Sequence, residues 1–300
     1  MRLQVTLVAP VPDGATPWRG RLVVGAPSAI ASDPRLAGTS LAAALWGRAM
    51  TGRAVNEGAV TERAGDEALA RRLERDAADG LSRPFERACA LALWTLEDSN
   101  EPARSTLAGA LRSDPGASLA ERAAVLTALA PAAPAGPASG ADAIGHLLAR
   151  LKRDGWRTLA EATDQPDVMA RMAAALLLVD RDDVPGVALL ERVQGALRTD
   201  DAGRAWVPDA EGRPSWPGNL AGAIAARQAG DDALADRLVR AAATRFHLGA
   251  RTAEAAFWAI AASVYGGFGV EGPEEVRVTV DGEARTLALT EGVATLDVRA

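Results

Sequence analysis

Four groups of residues in this 300-residue sequence have types and spacings that chemistry could use: an acidic run, a lone cysteine, two histidines and a tryptophan-rich loop. The acidic run is Asp180-Arg181-Asp182-Asp183, in the segment LLLVDRDDVPG. In such a run, one carboxyl group held in its protonated form would act as a general acid. The same acids would also stabilise the N-terminus of a helix that begins near Pro185. Helix capping is the interpretation that we favour.

The lone cysteine, Cys89, lies in the apolar segment RACALALW at residues 87–94. Only Glu86 and the flanking Arg87 are charged within a helical turn of it, so nothing there is expected to lower the pKa of the thiol. We therefore expect Cys89 to be a small buried core residue. The two histidines, His146 and His247, show no ligand spacing with Cys89 or with each other. The sequence thus predicts neither a metal site nor a cofactor.

The tryptophan-rich loop is the segment WVPDAEGRPSW, which lies between two predicted helices. Loops carry binding residues more often than cores do, and an exposed tryptophan is typical of a partner surface. Alternatively, each tryptophan plugs the end of a helix pair, which is the interpretation that we favour. The candidate binding residues are Trp206, Asp209, Arg213, Trp216 and His247.

Composition limits the classes of protein and of partner. The chain is 48% hydrophobic but only 4% aromatic, and its formal net charge is −6 with no basic block, which makes a nucleic-acid partner unexpected. A single cysteine excludes an internal disulfide framework. No apolar run approaches the roughly 20 residues of a spanning helix, so no membrane span is expected in this chain. The short apolar run at the N-terminus indicates a strand and not a signal peptide.

The elements that must position these residues are mostly helices. Between Ala31 and Gly267, apolar residues recur with helical spacing. The predicted helices are 39–51, 62–79, 84–97, 102–113, 118–130, 141–153, 167–180, 186–198, 217–229, 231–245 and 250–265. Alternating runs at both ends of the chain predict strands, and Asp281-Gly282 between two of them predicts a hairpin.

The distribution of charge separates inner helices from outer ones. Segments such as VMARMAAALLLV are apolar nearly all round and must be surrounded by other helices, whereas 62–79 and 231–245 carry many charges. Inner and outer helices that alternate along the chain predict a closed double ring of antiparallel hairpins. The expected fold class is therefore mainly α, an α/α toroid with short β-strands at both termini.

The last quarter of the chain resembles a known family. The segment RPSWPGNLAGAIAARQAGDDALADRLVRAAATRF, followed by LGARTAEAAFWAIAASVYGGFG and EEVRVTVDG, is similar to the thioester domain of the alpha-2-macroglobulin and complement family, its bacterial members in particular. The resemblance spans about residues 27–270. It implies a toroid at 27–270 inserted into a CUB-like β-domain, whose single sheet is built from 1–26 and 271–300. It also implies a periplasmic or extracellular location.

The sequence departs from that family at the reactive centre. The family's thioester forms between a cysteine and a glutamine three residues later, in a Cys-x-Glu-Gln motif, and this chain contains no such motif. Cys89 is followed by Ala90, Leu91 and Ala92. The expected protein is thus a non-catalytic module without a thioester. Its expected partner is a protein, either a protease that it binds non-covalently or an envelope component.

Two alternatives stay open. The Asp-x-Asp-Asp run resembles the protonating motif of class II terpenoid cyclases, which also build α/α barrels, and this implies an enzyme with Asp180, Asp182 and Asp183 in an aromatic-lined central cavity. A polysaccharide-active relative belongs to the same class of alternative. Such a cavity would be poorly lined, because the chain has only one tyrosine and four phenylalanines and its tryptophans are scattered. The other alternative is a helical-repeat scaffold that binds peptides in an open groove.

Overall fold

The computed structural model describes residues 2–4, 19–25, 41–55, 71–75, 81–132, 163–199, 201, 204–244, 253–266, 275–280, 283–288 and 293–299. The chain divides into two units, one made of Met1–Ile30 with Gly269–Ala300 and the other of Ala31–Phe268. The described residues are mainly helical, so the predicted mainly α class is confirmed. The predicted helix at 141–153 and most of the predicted helix at 62–79 lie outside the described residues.

The helical unit contains nine helices with described bounds, and residues 71–75 are helical as well. The nine helices are α1 (Leu41–Val55), α2 (Pro84–Leu96), α3 (Glu101–Ser113), α4 (Leu119–Leu129), α5 (Pro166–Val179), α6 (Val184–Ala196), α7 (Trp216–Gln228), α8 (Asp232–Thr244) and α9 (Ala253–Gly266). A 3₁₀ turn, Ala130–Ala132, continues α4. Each of these nine helices overlaps a predicted one, so these predictions are confirmed.

Local chemistry explains where the helices begin. Proline lies in the first turn of α2, α3, α5, α6 and α7, where its missing N–H is not needed. The side chains of Ser118, Asp183 and Ser215 each accept a hydrogen bond from a backbone N–H of the first turn of α4, α6 and α7, respectively. The turn after α7 has Gly230 at φ +82°, a conformation that favours glycine.

Six of the helices contact one another in a closed sequence. Helix α1 contacts α2, α2 contacts α4, α4 contacts α5, α5 contacts α7, α7 contacts α9, and α9 contacts α1. We call these six the inner helices. Helices α3, α6 and α8 contact α2, α5 and α7, respectively, and expose more of their residues than the inner helices do. Helix α8 shows the outer position most clearly, since Asp232, Asp236, Arg237 and Arg240 are all exposed.

An aromatic cluster lies between the inner helices. Phe257 of α9 is 5.7 Å from Trp46 of α1 and 5.4 Å from Phe85 of α2, measured between ring centroids. The indole N–H of Trp46 donates to the carbonyl oxygen of Ala128 at 3.0 Å. The hydroxyl of Tyr265 donates to the carbonyl oxygen of Thr127 at 2.6 Å. Because α4 is next to neither α1 nor α9 in the closed sequence, these two bonds cross the middle of the inner helices.

The other unit is built from strands of both chain ends. Strand β1 (Arg2–Gln4) pairs in parallel with β5 (Glu275–Val280), and β5 pairs antiparallel with β6 (Glu283–Ala288). Strand β2 (Arg19–Gly25) pairs antiparallel with β7 (Val293–Arg299). The described strands thus form two paired sets, β1–β5–β6 and β2–β7. The single sheet that we expected stays a prediction.

Candidate binding site

A buried group of charges joins the N-terminal ends of three inner helices. The guanidinium of Arg171 in α5 bonds to the carboxylates of Asp167 in α5 and Glu254 in α9. Ser215, which caps α7, places its Oγ 3.4 Å from Oδ2 of Asp167. The side chains of Arg171 and Asp167 are only 9% and 10% exposed. This group therefore fixes the relative positions of α5, α7 and α9.

This charge group was not predicted from the sequence. Asp167 and Arg171 are four residues apart on an otherwise apolar helix, and that spacing allows a salt bridge on one helix face. The partner from α9 was not visible in the sequence, because Glu254 is 83 positions from Arg171. Each of the three side chains has a partner, although Oδ1 of Asp167 and Nε of Arg171 are buried without one. The group acts as a structural joint between the helices.

The tryptophan-rich loop lies beside this buried charge group, because Ser215 belongs to both. A short hairpin of β3 (Arg198–Thr199) and β4 (Ala205–Trp206) leads into it. Asn219 of α7 is buried, and its Oδ1 accepts a hydrogen bond from the backbone N–H of Val207 at 2.7 Å. Its amide nitrogen donates to the carbonyl oxygen of Leu238 in α8 at 3.3 Å. The loop is thus held against α7 and α8 by one buried side chain.

The tip of the loop is a tight turn organised by Asp209. Its Oδ1 accepts from the backbone N–H groups of Glu211 and Arg213 at 3.0 and 2.8 Å, and its Oδ2 accepts from Nε of Arg213 at 3.1 Å. Desolvation opposes ionisation of Asp209, but the hydrogen bonds and charge of Arg213 outweigh it and lower the pKa of the carboxyl. Gly212 has φ +79°, which favours glycine in this turn.

The two tryptophans of the loop have different surroundings. Trp216 begins α7, and its indole N–H donates to the carbonyl oxygen of Ala242 in α8 at 3.0 Å. This contact agrees with the interpretation that we favoured for both tryptophans, in which the side chain closes the end of a helix pair. Trp206 lies on β4, with the guanidinium carbon of Arg198 5.7 Å from its ring centroid, and both indoles are half-buried. Of the predicted binding residues, the loop thus brings together Trp206, Asp209, Arg213 and Trp216, of which Arg213 is exposed.

The predicted acidic motif lies in the turn between α5 and α6. Asp180 and Asp182 are exposed, and Oδ1 of Asp180 accepts from the backbone N–H of Asp182 at 3.2 Å. Oδ1 of Asp183 accepts from the backbone N–H of Gly186 at 2.9 Å. These contacts are those of a helix cap. His146 and His247 lie outside the described residues.

We expect Asp183→Ala to lower the free energy of unfolding by about 1 kcal/mol, because the cap of α6 is lost. Asp182→Ala is the matched control. Since Asp182 is exposed, its removal is expected to change that free energy by less than about 0.5 kcal/mol. Urea unfolding followed by circular dichroism measures both values. Equal effects of the two substitutions would contradict the capping role of Asp183.

Cys89 is fully buried in α2, which confirms that it is a core residue. Desolvation, followed by the nearby charge of Glu86, raises the pKa of its thiol well above the ordinary value of 9.0. Burial likewise raises the pKa of Tyr265 well above 10.0, with a contribution from Cys89. A thiol in this environment is protonated at neutral pH and is a poor nucleophile.

These two raised pKa values predict loss of stability in alkali. The folded state holds Cys89 and Tyr265 neutral, whereas the unfolded chain ionises them near pH 9 and pH 10. Their contribution is complete below pH 9, and the free energy of unfolding then falls by up to about 1.4 kcal/mol per pH unit for each group. Urea unfolding from pH 7 to 10.5 measures this fall. Cys89→Ala is expected to move its onset from about pH 9 to about pH 10, and an unchanged onset would contradict the assignment.

The described residues contain no group of three or more histidine, cysteine or acidic side chains that could hold a metal ion. Within the same part of the chain, no helix is both long and apolar enough to cross a membrane. A comparison with protein-family models gives no match, and a comparison with curated proteins gives none. The resemblance to macroglobulin thioester domains therefore rests on the residue patterns and becomes part of the proposal below.

Proposed function

We propose that this chain is a non-catalytic protein-binding module, an α/α toroid similar to a macroglobulin thioester domain that has no thioester. One observation carries the proposal: in the described part of the chain, aromatic side chains pack in the middle of the inner helices. Trp46, Phe85 and Phe257 pack there, and the bonds of Trp46 and Tyr265 to α4 cross it. A module with a filled centre binds through its outer surface.

The order of helix contacts supports the toroid. The inner helices close on themselves, and α3, α6 and α8 each lie between two of them along the chain. A toroid of inner and outer helices has this pattern, whereas an open solenoid has no contact between its first and last helices. The contact of α1 with α9 is the one that distinguishes the two architectures.

The pairing of the chain ends supports an inserted arrangement. Each paired set of strands in the β unit joins a strand before residue 30 to a strand after residue 270. The whole helical unit therefore interrupts the β unit in sequence. On this proposal the β unit is the CUB-like companion domain, with boundaries near 26 and 271.

The chemistry of Cys89 supports non-covalent binding. The thiol is buried, its pKa is raised, and no glutamine follows at the spacing of the thioester motif. The contacts of Asp180, Asp182 and Asp183 account for these acids as parts of a helix cap. They give the terpenoid-cyclase alternative no support, because Asp180 and Asp182 face solvent.

A binding experiment with proteases tests the proposal. The full chain is mixed with active serine, cysteine and metalloproteases, and each mixture is analysed by native size exclusion and by denaturing gel electrophoresis. We expect a complex in the native experiment that separates fully in detergent, for the parent chain and for Cys89→Ala alike. A detergent-resistant complex that Cys89→Ala abolishes would show covalent trapping and overturn the proposal. Failure of every protease to bind would exclude the protease-binding form of it.

A further inference from the structure

We propose that Arg198 and Trp206 form a binding site for a carboxylate side chain, aspartate or glutamate, of the partner protein. This inference rests on the proposed function and locates the surface that would perform it. Both residues belong to the β3–β4 hairpin at the base of the tryptophan-rich loop. Arg198 is exposed, and Trp206 is half-buried beneath its guanidinium. Tryptophan and arginine are the residue types that contribute most to binding at protein interfaces.

The guanidinium of Arg198 is already held in position. It lies over the ring of Trp206, and its Nη1 donates to the carbonyl oxygen of Gly212 at 3.3 Å. A Cβ atom at Gly212 would lie only 3.2 Å from Nη1, so the absence of a side chain there permits this close approach. A guanidinium that is fixed before binding loses less rotamer entropy when a partner arrives.

The hydrogen-bonding capacity of this pair is largely unused. Within the described part of the chain, Arg198 forms no ion pair, and the indole N–H of Trp206 has no acceptor. Arg213, on the same loop, is different, because it pairs with Asp209 and Glu211. A guanidinium with free donors beside an indole N–H matches a carboxylate, which accepts two parallel hydrogen bonds from arginine.

The support beneath the pair is rigid. The backbone N–H of Val207, the residue after Trp206, bonds to the buried Asn219, and the carbonyl oxygen of Val207 accepts from the N–H of Ser215 at 2.8 Å. Ser215 in turn contacts Asp167 of the buried charge group. The indole is therefore anchored to the inner helices through two short connections, as a binding surface requires.

The overall charge favours a protein segment over a nucleic acid. A nucleic acid is bound by many cationic side chains that contact successive phosphates. This chain has a formal net charge of −6, and Arg213 of the same loop is already paired with carboxylates. A single bidentate contact, surrounded by other polar contacts at the rim, fits one acidic side chain in a protein partner.

The probe is a library of random 12-residue peptides displayed on phage. Each peptide is fused at both ends, so that it has no free terminus. The full chain is the bait, and selected peptides are then synthesised with blocked ends. We expect an aspartate or glutamate at one enriched position. Replacing it by the corresponding amide is expected to weaken binding by about 10- to 100-fold, as is Arg198→Gln in the protein. Arg198→Lys is expected to fall between, since lysine forms no bidentate contact.

Arg112→Gln is the matched control, since Arg112 is exposed on α3 and the charge change is the same. The proposed site is wrong if the selected peptides have no enriched acidic position, or if they bind the parent chain and Arg198→Gln with equal affinity. Either result leaves the proposed function unaffected. If no peptide is selected while a protease binds in the experiment above, the site alone is wrong. If neither a peptide nor a protease binds, the proposed function fails with it.

Discussion

Gly47→Ala is expected to lower the free energy of unfolding by about 1–3 kcal/mol, although alanine is the better helix former. Gly47 lies in α1, where that helix packs against α9. A Cβ atom at Gly47 would lie 2.1 Å from Cγ2 and 3.5 Å from Cβ of Ile260. Ile260 is completely buried, so its branched side chain has little room to move away. The clash therefore reverses the usual sign of a helical glycine-to-alanine change.

This prediction tests the contact that closes the sequence of inner helices. Gly195→Ala in α6 is the matched control, because a Cβ atom there meets nothing within 4 Å. It is expected to raise the free energy of unfolding by about 0.5–1 kcal/mol. Urea unfolding measures both variants. If Gly47→Ala stabilises the chain as much as Gly195→Ala does, then α1 and α9 do not pack as described.

A double-mutant cycle separates the clash from other effects. Ile260→Ala alone is expected to destabilise by about 2–5 kcal/mol, because it leaves a cavity. Adding Gly47→Ala to that variant is expected to cost nothing or to stabilise it, since the new methyl group enters the cavity. The resulting coupling energy should exceed about 1 kcal/mol in favour of the double variant. An additive result would contradict direct contact between the two positions.

The sequence was sufficient to predict the helices because their signals are local. Apolar spacing marks their faces, and residues such as Ser118 and Asp183 mark their beginnings. The end of α3 follows from Asp114-Pro115-Gly116, where Gly116 has φ +117°. Each of these signals acts within a few residues, so one segment of sequence contains both cause and consequence.

Contacts between distant residues were not predictable in the same way. In the sequence, Gly47 is a residue that weakens a helix. The close approach of Ile260 explains why glycine occupies this position. The stacking of Arg198 on Trp206 depends on a hairpin of two-residue strands, which is too short to leave a period in the sequence. The order of the strands likewise depends on pairing between the two chain ends, such as that of β2 with β7, which no local pattern encodes.

The buried charge group gives the prediction with the largest expected effect. We expect Arg171→Met to lower the free energy of unfolding by about 3–5 kcal/mol. The methionine fills most of the volume of the arginine, but Asp167 then retains a buried carboxylate without its cation. The loss should also loosen the contact between α5 and α9, because Glu254 is bonded to the same guanidinium.

Two further variants distinguish charge from packing. Arg213→Met is the control, since Arg213 also lies between two carboxylates but its side chain is 71% exposed. Its removal is expected to change the free energy of unfolding far less than Arg171→Met does, because solvent screens an exposed ion pair. Asp167→Asn combined with Arg171→Met should recover part of the stability lost in Arg171→Met, because no unpaired charge stays buried at Asp167. Urea unfolding measures all three. If Arg171→Met has only a small effect, equal to that of Arg213→Met, then water reaches the charges and α5, α7 and α9 are not joined there. If the effect is large and the double variant reduces it, then these three helices meet around a charge group from which water is excluded.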